Sequence, residues 1–160
     1  MEIFGSMLGM LSQKVVSIGI EQLKETVEFK NTQKVLRQRL FREVAFNHEI
    51  NRFPNIMADQ AITSFDTRVL FEILDQPFLI SDLFPRELEE DVSGRIDPKL
   101  VTSSIKSWIS LLETEADLLE ILAFRMKTHE LRKHLGINLG SKSYIRALVE
   151  ALYWSLKREE

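Results

Sequence analysis

Cysteine is absent from this chain of 160 residues. Its absence excludes a disulfide framework, a thiolate metal site and a cysteine nucleophile, and it suits the cytoplasm. Proline occurs only at positions 54, 77, 85 and 98, and the six glycines fall mostly toward the two ends. Long stretches therefore carry no helix breaker, which favours an all-α chain. An excess of charge of either sign is also lacking, with 21 Lys and Arg against 24 Asp and Glu. A net charge of −3 gives no whole-protein electrostatic case for nucleic acid, which is not an expected partner.

What is present is helical periodicity. From Ile20 to Phe53 there is neither Gly nor Pro, and Leu36, Leu40, Val44 and Ile50 recur at helical spacing. Residues 2–52 are expected to form one long helix or a helix pair broken near Asn31-Thr32, with Pro54 ending it. A short helix is expected over 55–74. Two prolines bracket "PFLISDLFP", and an acidic run follows, so 77–96 reads as a loop. Asp97-Pro98 matches an N-cap followed by the first helical position, which predicts one long helix over 97–135, closed by Gly136. A last amphipathic helix covers 142–158. The whole, 1–160, reads as a single helical domain: all-α, a bundle of three to four long antiparallel helices.

The opening stretch, "MEIFGSMLGMLSQKVVSIGI", is amphipathic with a face of small residues opposite its apolar one. It lacks the basic start of a secretory signal, and central Lys14 argues against a span. Two uses remain for its apolar face, formed by Phe4, Met7, Leu8, Leu11 and Val15: packing against protein, or lying in a membrane surface. Phe78, Leu79 and Phe84, from the proline-bracketed stretch, join them as candidate partner- or membrane-binding residues.

Three polar residues fall on apolar stripes: Glu115, Asn47 and Lys14. Buried polar and charged groups need partners, so Glu115 is expected to meet a cation from another helix, with Lys14 or Arg39 as candidates. Lys30, Lys34, Arg37, Arg39 and Arg42 make a basic stretch that reads as a solvated face, with anionic lipid or nucleic acid as the functional alternatives.

No metal or cofactor is expected. His129 and His134 are five residues apart and so do not share a helix face, and no Glu-x-x-His pattern accompanies any histidine. No phosphate loop, dinucleotide fingerprint or nucleophile elbow appears. Arg42 and His48, in Arg42-Glu-Val-Ala-Phe-Asn-His48, have a spacing that resembles the Arg-x(4–6)-His of HEPN-type helical ribonucleases. That resemblance implies a catalytic pair in which His48 moves a proton and Arg42 steadies phosphate charge.

The residues as a whole point to a non-catalytic interaction or assembly module. It would act through self-association, as a homodimer, or through a partner protein. The alternatives are a protein anchored peripherally at the inner membrane face by its N-terminal helix, and the ribonuclease.

Overall fold

The computed structural model describes residues 19–75, 80–137, 140 and 142–158. Among these residues regular structure is helical and no strand forms; a single bridge joins Glu87 to Thr114. The α-helices are α1 (Ile20–Lys24), α2 (Val27–Asn51), α3 (Ala58–Ser64), α4 (Arg68–Leu74), α5 (Ile80–Leu83), α6 (Ser103–Ser110), α7 (Glu115–His134) and α8 (Lys142–Lys157), with a 3-10 turn at Val92–Arg95.

Helix α8 is the hub. Eleven of its 16 residues are buried, too many for one face, and α2, α3, α6, α7 and the 3-10 turn all pack against it. Its bonds and ring contacts with α2 run Asn51 to Arg146, His48 to Glu150 and Phe41 to Tyr153. One number rises as the other falls, so the two helices are antiparallel. The arrangement differs from a bundle of three to four long helices: only α2, α7 and α8 are long, and five short helices fill in around α8.

The breaks that open α2, α6 and α7 come from hydroxyl caps rather than from Gly or Pro. Thr26 accepts from the Phe29 amide at 3.1 Å and starts α2, so the break lies there and not at Asn31-Thr32. The helix expected over 97–135 is two helices. Asp97 forms a turn by accepting from the Lys99 amide at 3.0 Å, while Thr102 caps α6 through the Ile105 amide at 3.3 Å. Thr114 and Asp117 then form a reciprocal capping box, with bonds of 3.2 and 3.1 Å, that opens α7. Gly136 closes α7 at φ 68°. There the Ile137 amide donates to Arg132 and the Gly136 amide to Lys133, the paired bonds of a glycine-terminated helix. The expected 55–74 helix is likewise split, into α3 and α4, and 77–96 contains α5 and the 3-10 turn.

Candidate functional site

A seam of polar groups runs through the apolar interior, along the contacts of α2 with α4, α7 and α8. At one end Glu115 has no exposed surface. Its carboxylate accepts from Arg37 Nη1 at 2.7 Å and Nη2 at 3.1 Å. The Ser155 hydroxyl donates to the same carboxylate at 2.8 Å. The cation is thus Arg37, not Arg39. The Arg37 guanidinium also lies 5.5 Å from the centre of the Phe84 ring. Phe84 has no exposed surface either, which corrects its assignment to a partner- or membrane-binding face: the turn after α5 carries it inward, under this ion pair.

At the other end His48 Nδ1 lies 2.8 Å from both oxygens of Glu150, and the Asn51 amide donates to Glu150 at 3.2 Å. The His48 ring stacks on Tyr153, centroids 3.8 Å apart and planes at 5°. Burial pushes the Glu150 carboxyl above its usual range, while its bonds to His48 and Asn51 act the other way.

Between the two ends, Glu43 and Asn47 occupy successive turns of α2 and hold the α3–α4 junction. Asn47 grips the Asp66 backbone from both sides, donating to its carbonyl and accepting from its amide at 2.8 Å each. Glu43 accepts from the Val69 and Leu70 amides at 2.8 and 3.0 Å. Those amides belong to the first turn of α4, where helix donors have no internal partner. Burial raises the Glu43 carboxyl to about 7 against the lowering pull of the two amides. Asp66 goes the other way, to about 2, chiefly through its bonds to Arg68. The cavity beside Glu43 and Asn47 measures about 10 Å³, room for one water and no substrate.

Arg42 and His48 are not brought together. His48 is buried on Glu150, whereas Arg42 is exposed and lines an open groove with Lys30, Lys34, Phe41 and Leu156. On the outer side of α7, Glu113, Asp117 and Glu120 share a surface with Leu111, Ile121 and Phe124. Phe4, Met7, Leu8, Leu11, Lys14, Val15, Phe78 and Leu79 lie outside the described residues. Among the described residues no cluster of His, Asp and Glu could hold a metal ion, and no helix is long and apolar enough to cross a membrane.

Sequence reasoning missed Glu43, Glu150, Arg37 and Ser155 as interior polar groups. Glu150 carried a signal: it stands between Leu148-Val149 and Ala151-Leu152, where a surface residue has few polar neighbours. Comparison with protein-family models, with curated proteins and with solved structures gives no match for this chain.

Proposed function

We propose that the protein is a non-catalytic helical interaction module that assembles with other protein surfaces, a second copy of itself being the first partner to test. One observation carries this reading. Phe124 and Leu131 on α7 and Leu135 at its end are 62%, 57% and 58% exposed. Their intervals of seven and four residues place them within about 40° of one another around the axis. Single apolar residues scattered over a surface need no explanation, but an aligned row of large ones favours a contact face. The interior supports the same reading. Glu43, Glu115 and Glu150 are bonded to groups of the protein itself and serve to join helices.

Light scattering tests the proposal. The intact protein is expected to show a mass above that of the monomer at micromolar concentration. Phe124→Asp with Leu131→Asp is expected to return it to the monomer without changing its thermal melt, since both side chains are outside the core. A wild-type protein that stays monomeric up to about 100 μM, well beyond the Kd of ordinary specific interfaces, removes self-association.

A further inference from the structure

We infer that the basic groove along α2 receives the acidic outer face of α7 from a second copy of the chain. The inference rests on the assembly reading above and names the surfaces that would carry it.

The groove has a volume of about 550 Å³, and no carboxylate lines it. Lys30, Lys34 and Arg42 stand exposed along it, with no carboxylate partner among the described residues. Phe41 and Leu156 give it an apolar floor. The outer face of α7 has the opposite character. Glu113, Asp117 and Glu120 frame Leu111, Ile121 and Phe124, and no Lys or Arg lines that surface.

The two surfaces also match in spacing. Lys34, Gln38 and Phe41 follow one another at intervals of four and three residues on α2, as do Asp117, Ile121 and Phe124 on α7. Laid side by side in the same direction, the stripes set Lys34 against Asp117 and Phe41 against Phe124, with Lys30 toward Glu113. Asp117 uses only Oδ2 in its capping bonds to the Glu113 and Thr114 amides, which leaves Oδ1 to accept from a lysine. A pair of rings flanked by opposite charges gives both attraction and register.

A polyanion fits less well. Three free cations neutralise about three phosphates, which supports only weak, salt-sensitive binding, and neither Phe41 nor Leu156 finds an apolar counterpart on phosphate. The contact joins two different surfaces, so it is heterologous: each added copy leaves one groove and one acidic face open, and the assembly extends or closes into a ring.

Charge exchange tests this. Lys30→Glu with Lys34→Glu reverses the groove, and Glu113→Lys with Glu120→Lys reverses the face. All four residues are exposed, and melts of both variants are expected to match wild type. By light scattering at low salt, wild-type mass should rise with concentration and fall as salt is added. Each double variant alone should associate at least about tenfold more weakly, as opposed like charges require. The equimolar mixture, and the quadruple variant carrying both reversals, should regain association. Wild-type association retained by either double variant would overturn the inference while leaving the assembly reading intact. So would a mixture and quadruple variant that both stay monomeric. A wild-type monomer at every concentration would remove the inference together with self-association, and leave only assembly with a different protein. Binding of a labelled single-stranded RNA that Lys30→Glu with Lys34→Glu abolishes, with wild-type mass unaffected, would assign the groove to a polyanion instead.

Discussion

Arg37 and Glu115, 78 residues apart in sequence, meet through two hydrogen bonds at a point where Glu115 is wholly enclosed. A carboxylate in that position depends on its partner. Removing one member of a buried pair costs about 3–5 kcal/mol, whereas replacing both by apolar residues is often neutral. Arg37→Leu and Glu115→Leu alone are therefore each expected to lose a large share of a total stability of about 5–15 kcal/mol. Arg37→Leu with Glu115→Leu should recover most of that loss. Urea denaturation of the four proteins in the double-mutant cycle checks it. Purely additive losses in the double variant would mean that the two residues do not act as a pair.

Glu43 predicts a pH dependence. Its folded pKa, about 7, lies above the ordinary 4.5, so the folded state holds this proton more tightly than the unfolded state. The contribution is favourable below about pH 4.5, declines as pH rises from 4.5 to 7, and stays at its least favourable above 7. The change amounts to about 3 kcal/mol. Glu150, also shifted upward by burial, contributes with the same sign. Glu43→Gln should flatten the fall in unfolding free energy between pH 5 and 7 relative to wild type, measured in urea at fixed ionic strength. Parallel curves for the two proteins would show that Glu43 titrates alike in both states.

His48 and Arg42 should separate on substitution. His48→Ala strips Glu150 of its closest partner and Tyr153 of its stacked ring. A loss of roughly 3–5 kcal/mol follows from the charge left behind and the cavity created. Arg42→Ala changes an exposed side chain and should leave stability within about 0.5 kcal/mol of wild type. Because His48→Ala disturbs the fold, Arg42→Ala is the informative variant for ribonuclease chemistry. The purified wild-type protein is expected to leave structured and unstructured RNA intact. Cleavage that Arg42→Ala abolishes, with the melt unchanged, would establish the catalytic pair after all.

The helical class was legible because breakers are scarce, and the end of α7 was legible because Gly136 supplies the left-handed residue such an end uses. The starts of α2, α6 and α7 were not. Each is set by one threonine hydroxyl, and a capping Thr looks like any exposed Thr until its amide partner is known. Thr114-Glu-Ala-Asp117 is a capping-box pattern in plain view, but Asp97-Pro98 upstream offered a louder start. In the interior, Glu115 and Asn47 stand out as polar residues on apolar stripes. Their partners do not: the candidates for Glu115 were Lys14 and Arg39, and that Arg37 meets it instead depends on how α2 and α7 pack, which the periodicity of a single helix does not record. Glu43 bonds backbone amides 26 and 27 residues away, a contact that side-chain patterning cannot register.

The central position of α8 has a consequence for synthesis. Helix α2 leaves the ribosome well before the helix that covers it, for roughly ninety residues separate Asn51 from Lys142. At ~5–20 residues per second, roughly 5–20 seconds pass in between. Within that interval Glu43 can serve α4 once Val69 and Leu70 are made, and Arg37 can meet Glu115 only in its last third, whereas His48 has no Glu150, and Leu36, Leu40 and Val44 have no α8 to pack against. The nascent chain therefore presents a half-built apolar trough that α8 fills, and this is the interval in which a holding chaperone would find it.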